Sequence, residues 1–232
     1  MARICIRSGY PRDNHENFYW LQEDYLKDLA IQCGFTWTIF RPALVLGSAI
    51  GVPMNVLPVI GAFAAIAREG GTPFAFPGHF SFVFQATDVR LIAEAAVWAS
   101  TNDAANNEHF NVTNGEVFSW RDLWPTLSET LGVQMSDDKP LRLAEFLPAH
   151  AEIWDRVVER HNLRQLPLSA ILGQSHYYAD YLFGYGLTAA PPPVFMSTIK
   201  IKEAGFHRVF DTSKCVEHWL NQLIDRRILP PS

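Results

Sequence analysis

The sequence predicts an α/β protein built around a partly parallel sheet, on three observations. Short runs rich in β-branched and aromatic residues, Phe35 to Phe40 (FTWTIF) and His109 to Val112 (HFNV) foremost, alternate with longer segments of helical period. Capping and breaking residues fall between them, so strand and helix follow one another along the chain. Apolar residues make up 48% of the 232 and charged residues 19%, enough for one large core or two small ones.

Residues 1–14 carry little periodicity, and Gly9, Pro11, Asp13 and Asn14 read as loop. From 17 to about 32, Phe18, Leu21, Tyr25, Leu29 and Ile31 recur at near-helical spacing, with Asn14 as the candidate N-cap and Gly34 as the stop. The strand at 35–40 is stopped by Arg41-Pro42, and Leu44-Val45-Leu46-Gly47 runs on into a loop holding Gly51 and Pro53. An apolar helix follows over 55–68, closed by the turn Gly70-Gly71-Thr72-Pro73. Residues 74–78 and 82–85 read as short strands, and Asp88 caps a helix over about 89–99 whose buried stripe is Leu91, Ile92, Ala95, Ala96 and Ala99. Thr113-Asn114-Gly115 closes the strand at 109–112, and Ser119 opens a helix that ends at Leu131-Gly132. A further helical block covers 143–160, with Pro148 as its break. Beyond Leu166 the pattern is less regular. Tyr177, Tyr178, Tyr181 and Tyr185 are interspersed with glycines, Pro191-Pro192-Pro193 reads as a stiff extended link, and Ser213 caps a last helix through Arg226.

Composition excludes several function classes. A net charge of −5, with Arg226-Arg227 an isolated basic pair, argues against nucleic acid. Cys5, Cys33 and Cys215 are odd in number and far apart, which fits reduced thiols better than a disulfide framework. The apolar stretch from Val56 to Ala67 ends at Arg68-Glu69, too short for a membrane span, and Arg3 and Arg7 precede no apolar signal region. A cytoplasmic protein with no membrane partner is expected. His15-Glu16 reads as a solvated pair, and His207 and His218 lie far from paired carboxylates at ligand spacing, so no metal site is expected. No Gly-x-Ser-x-Gly elbow supports hydrolase chemistry.

Motifs narrow the reading further. Asn17-Phe18-Tyr19, Glu23-Asp24, Phe40-Arg41-Pro42, Gly78, Ala86-Thr87-Asp88 and Leu91-Ile92-Ala93-Glu94 occur in that order. Asn107 to Gly115 (NEHFNVTNG), Phe118-Ser119-Trp120, Ala204-Gly205-Phe206 and Ile228-Leu229-Pro230 follow. Together they resemble the progesterone 5β-reductase/iridoid synthase-like branch of the extended short-chain dehydrogenase/reductases, from about Pro11 to Pro230. The fit is weakest around 188–196. The resemblance implies the C-terminal half of a Rossmann-like doubly wound sheet with a mixed, mostly helical substrate-side region. Residues 1–132 would be the residual Rossmann-type portion with interleaved substrate-side elements, and 133–232 the helical substrate-side region.

The same resemblance implies NADPH-dependent reduction of an enone C=C bond. Tyr19 would hydrogen-bond the enolate oxygen that develops as hydride adds to the β-carbon, a contribution of roughly 3–4 kcal/mol for one well-placed donor. Arg41, Pro42, Ala43 and Leu44 would supply the nicotinamide-side backbone. Phe18, Met54, Phe80, Phe82, Tyr178 and Tyr181 would line the pocket of a small apolar enone, with Phe40 and Trp120 as further candidates. The usual Tyr-x-x-x-Lys is absent: Glu23 stands four residues after Tyr19, and a carboxylate cannot supply lysine's cation. Glu23 and Asp24 read as a solvated helix face or a cap. No Gly-x-Gly-x-x-Gly occurs, so NADPH binding by this chain alone is expected to be poor. The missing half would also leave the strand at 35–40 with an open edge for a partner or a second copy to cover. Two other readings stay open: a non-catalytic remnant that binds or oligomerises, and a nucleotide-sugar epimerase or dehydratase. The second is disfavoured by Glu23 and by few arginines to grip a diphosphate.

Overall fold

The computed structural model describes residues 12 and 15–232 together with the backbone of a strand at 5–6. The rest of the expected N-terminal loop, including the candidate cap Asn14, lies outside the described residues. In chain order the elements are β1 (Cys5–Ile6), α1 (Phe18–Cys33), β2 (Thr38–Pro42), β3 (Leu44–Leu46), α2 (Val56–Gly70), β4 (Val83–Phe84), β5 (Ala86–Asp88), α3 (Val89–Ser100), β6 (Glu108–Val112), β7 (Phe118–Ser119), α4 (Trp120–Thr130), α5 (Leu143–Ala149), α6 (Ala151–Arg160), α7 (Leu168–Leu172), α8 (Ser175–Leu182), β8 (Phe195–Met196), α9 (Ile199–Glu203) and α10 (Thr212–Asp225). They fall into two compact units, each discontinuous in sequence. The first takes Met1–Val45, Gln85–Glu116 and Val194–Phe210, and the second Leu46–Phe84, Val117–Pro193 and Asp211–Ser232.

In the first unit β2 and β6 pair in parallel, Thr38 opposite Glu108 through Pro42 opposite Val112. The strand runs through Pro42 instead of stopping before it, because a proline at the last position costs no needed ladder hydrogen bond. Side chains alternate across the pair, so Phe110 and Val112 enter a core with Leu91, Ala95, Ala105, Ile201 and Phe206, against which Phe40 packs. Asp88 caps α3 as its position requires, its Oδ1 accepting from the Arg90 N–H at 2.8 Å. Asn17 caps α1 by accepting from the Tyr19 N–H at 2.9 Å, and Gly34 ends it in the left-handed region at φ 72°. β1 pairs in parallel with β8, and the Gln85 side chain extends that edge by accepting from the Met196 N–H at 2.6 Å.

The second unit is organised around α2, buried continuously from Val56 to Ala67. A helix apolar all round must be covered on every side, and α5, α6, α7, α8 and α10 cover it. Asn55 caps it, accepting from Leu57 N–H while its amide donates to the carbonyls of Gly47 and Ala49. The segment at 74–78 forms no ladder, only an isolated bridge from Phe74 to Met135. Its carbonyls are taken one by one from an irregular loop, by the N–H groups of Ser136, Lys139 and Leu141. The block at 143–160 divides at His150, two residues past Pro148, into α5 and α6. The last helix is capped by Asp211 and not by Ser213, whose hydroxyl donates to the same carboxylate.

Candidate active site

Ligands of a doubly wound sheet lie beyond the carboxyl ends of its strands. In the first unit those ends are Pro42-Ala43 after β2 and Thr113-Asn114 after β6, and a polar clamp joins them. Thr87 Oγ1 donates to the Val112 carbonyl at 2.7 Å and accepts from the Ala43 N–H at 3.0 Å. Asn114 holds the neighbouring turn, its N–H donating to the Ala86 carbonyl and its Oδ1 accepting from the Asp88 N–H, both at 2.7 Å. The Ala43 N–H also lies 3.2 Å from the Val112 carbonyl, so this one donor is shared between Thr87 and β6.

α1 brings Tyr19 to this unit. Phe18 and Tyr19 lie on its first turn with rings edge to face at 5.8 Å, and both are about two-thirds exposed, at 67% and 64%. One turn further, Glu23 turns inward. It is 7% exposed, a correction to the solvated position expected for it. Its Oε1 accepts from Arg41 Nε at 3.0 Å and Nη2 at 2.6 Å, and its Oε2 accepts from Nη2 at 2.8 Å. Arg12 reaches Oε2 at 3.3 Å and Asp24 at 2.7 Å, and Lys27 stands 3.9 Å from Glu23. Burial pushes the Glu23 carboxyl up. The hydrogen bonds and charge of Arg41, with Arg12 and Lys27, outweigh burial and hold the group below the ordinary carboxylate value. Nearby on β6, burial first and then the charges of Lys200, Arg41 and Lys27 push the His109 imidazole down.

A depressed folded-state pKa stabilises the fold only while the carboxylate is ionised. Glu23 contributes fully above its ordinary value of 4.5, and its contribution is lost as pH falls below that toward the depressed folded value. Amide protection in α1, taken relative to the intrinsic exchange rate at each pH, should therefore fall on acidification across that range. Asp24 and Glu108 are also lowered, by Arg12 and by Lys200, so the comparison with Glu23→Gln isolates the one group. Parallel acid profiles in parent and variant would remove Glu23 as the source.

The remaining expected site residues lie in the second unit, around α8. Met54, 58% exposed, precedes Asn55, whose N–H donates to Ser175 Oγ at the start of α8. Phe80 and Phe82 are half-buried beside Gly184, just past the end of α8. Tyr178 stacks on the exposed Tyr181 with centroids 6.3 Å apart, and burial followed by the Tyr181 charge pushes its phenol up. Phe40 and Trp120 are instead packing residues, one against the core of the first unit and the other buried within the second. Sequence reasoning missed Thr87, Asn114 and the inward turn of Glu23. The last had a signal, since Glu23 shares the helix face of Tyr19 and Arg41 offers a partner on the adjoining strand. Among the described residues no helix is long and apolar enough to cross a membrane, and no group of three His, Cys, Asp or Glu side chains is placed to hold a metal ion.

No family model matches the chain. Individual relatives do. The (S)-8-oxocitronellyl enol synthase of Nepeta cataria is 29% identical over 236 residues, covering 98% of this chain and 57% of that protein. Its counterpart in Camptotheca acuminata is 32% identical over 182 residues, 75% of this chain and 46% of that one. The 3-oxo-Delta(4,5)-steroid 5-beta-reductase of Arabidopsis thaliana is 29% identical over 227 residues, 95% and 56%. The chain thus spans about half the length of the relatives it matches. Among solved structures, the UDP-glucose 4-epimerase of Thermotoga maritima with UDP-glucose superposes with a TM-score of 0.55 at 16% identity, over 89% of this chain and 52% of that one. RMD of Pseudomonas aeruginosa complexed with NADPH gives 0.55 at 13% identity, over 88% and 53%. At such identities the structures speak for the α/β Rossmann-like fold alone. Fold, motif order and relatives agree on one likeness, to the 8-oxocitronellyl enol synthases and the steroid 5-beta-reductase, which the chain matches over most of its own length.

Proposed function

We propose that the chain carries the proton-donor, substrate-side portion of an NADPH-dependent reductase of enone C=C bonds. One observation carries the reading: Tyr19 presents an exposed phenol on the first turn of α1, one turn from the Glu23–Arg41 pair that joins that helix to the strand ending at Pro42. Addition at the β-carbon of an enone moves negative charge onto the carbonyl oxygen, and a fixed O–H aimed there stabilises it. Tyr19 supplies that O–H. Arg41, Pro42, Ala43 and Leu44 form the nicotinamide-side backbone, which Thr87 immobilises. In the second unit Met54, Phe80, Phe82, Tyr178 and Tyr181 offer apolar surface suited to a hydrocarbon skeleton. The name of the Arabidopsis relative describes such chemistry, a 3-oxo steroid unsaturated at its 4,5 bond being an enone.

The residues present do not fit the pyrophosphate of NADPH. α1, α2 and α3 are entered through Asn17, Asn55 and the acidic Asp88, and none follows a glycine-rich turn. The chain is expected to show no micromolar affinity for NADPH in calorimetry. Among the described residues β2 pairs only with β6, and a dinucleotide-binding half, a second copy of the chain or another partner would cover its free edge. The absent fingerprint also favours a second reading, a non-catalytic module that binds or oligomerises.

The two readings separate when the chain is joined to the part of the Arabidopsis relative that it does not match. Reduction of a small cyclic enone by the joined protein is expected, with Tyr19→Phe lowering the rate about a hundredfold or more. Equal turnover by the Tyr19→Phe form would remove Tyr19 from the reaction. No turnover by a folded, NADPH-binding fusion would favour the binding module.

A further inference from the structure

α1 is held to its own unit by very little apolar packing. Of its 16 residues only Glu23 and Ala30 are buried, while Phe18, Tyr19, Leu21, Tyr25 and Ile31 remain 64–83% exposed. A helix with apolar residues on several sides has no single stripe to fix its rotation. Its firmest attachment is polar, the two-point grip of Arg41 on Glu23, supplemented by Arg12 and Lys27. Lys27 adds a contact of 5.2 Å over the Trp37 ring.

Arg41 in turn sits on a strand whose position is set. It lies opposite Asn111 in the parallel ladder, and Ala43 two residues later is locked by Thr87 and the Val112 carbonyl. A continuous line of fixed groups thus runs from Thr87 through Ala43 and Arg41 to Glu23. One helical turn beyond Glu23 stands Tyr19. Where Tyr-x-x-x-Lys enzymes place a cation, this chain places the anionic half of a bond to the neighbouring strand.

We infer that Glu23 and Arg41 are positioning residues, a latch that sets the rotation of α1 on β2 and hence the direction of the Tyr19 hydroxyl. The functional sense of the latch rests on the reading of Tyr19 as oxyanion donor, while the latch itself is testable without turnover. A bidentate arginine–carboxylate pair suits this work because it fixes an angle as well as a distance. The charged and titratable groups facing Glu23 are Arg41, Arg12 and Lys27, with Asp24 beside it on the helix and His109 on the adjoining strand.

The test reads Tyr19 directly in the full chain. 3-Fluorotyrosine is incorporated, the Tyr19 fluorine signal is assigned by its loss in Tyr19→Phe, and amide exchange is followed over residues 19–24, with α10 as control. Glu23→Gln is expected to speed exchange over 19–24 about tenfold or more and to shift and narrow the Tyr19 signal, leaving α10 unchanged. Arg41→Gln should match it, and the double variant should add nothing further, since both changes remove the same bond. Arg41→Lys keeps the charge but loses the two-point grip. It is the milder variant if the others unfold, and it is expected to move the Tyr19 signal in the same direction. The latch is overturned if Arg41→Lys and Glu23→Gln leave the Tyr19 signal in place, if exchange rises equally in α10, or if the two single effects add. No cofactor or substrate enters these measurements, so their failure is distinct from failure of the reductase reading.

Discussion

Gly78→Ala is expected to destabilise the second unit by roughly 3 kcal/mol or more, the upper end for overpacking a core, and to lower its thermal midpoint by about 6–12 °C. A Cβ at position 78 would stand 2.1 Å from the Phe183 carbonyl oxygen and 2.6 Å from the Phe76 ring. The first obstacle is backbone and cannot turn away. The second is a ring 3% exposed, held edge-on between Trp124 and Phe183 at 5.4 and 5.8 Å. The conflict is purely steric, a close approach of two chain segments that leaves no room for a methyl group. Gly70→Ala is the control, because its nearest neighbour is the movable tip of Ile153 at 3.2 Å and an alanine favours the helix it ends. Thermal unfolding of the two variants decides the matter. A Gly78→Ala protein as stable as the Gly70→Ala form would show that the turn can relax. Gly78 opens the segment that carries Phe80 and Phe82, both of which lie beside Gly184.

The elements most legible in the sequence are those whose local chemistry is complete in itself. α1 ends at Gly34, α3 begins at Asp88 and α4 begins at Ser119, because each cap is made by a residue within a turn of its helix. The strands β2 and β6 were legible as runs rich in β-branched and aromatic residues, though not their pairing with one another. What could not be read depends on partners distant in the chain. Nothing near residues 74–78 announces that their carbonyls are taken by a loop some sixty residues later. Asp180 likewise caps α5 from outside, accepting from the N–H groups of Leu143 at 2.7 Å and Ala144 at 3.2 Å, where Arg142 offers no cap. Glu23 is intermediate, since its helix face and the presence of Arg41 gave a signal while the pairing is made by a residue on another element. A carboxylate on a helix with exposed neighbours is ordinarily solvated, and only the position of Arg41 across the sheet reverses that expectation.

Trp124→Ala is expected to cost about 4 kcal/mol, within the range of roughly 3–5 for a buried tryptophan. The ring is 1% exposed, stacked on Phe74 with centroids 4.8 Å apart and planes 15° from parallel, and met edge-on by Phe183 at 5.6 Å. Trp124→Phe should be far milder, because the indole brings a liability with its bulk. Its Nε1–H is buried without a hydrogen-bond partner among the described residues, and an unmade buried bond costs about 1–3 kcal/mol. Removing that donor offsets part of the cavity left by the smaller ring. Trp154 provides the comparison: it too is fully buried, but its Nε1–H donates to the Leu166 carbonyl at 3.1 Å. Trp154→Phe therefore loses the same volume and also strands an acceptor, and it should destabilise more than Trp124→Phe in urea unfolding. The reverse order would mean that the Trp124 indole has a partner, most simply an ordered water, and that its polar edge contributes to the unit alongside its stacking on Phe74.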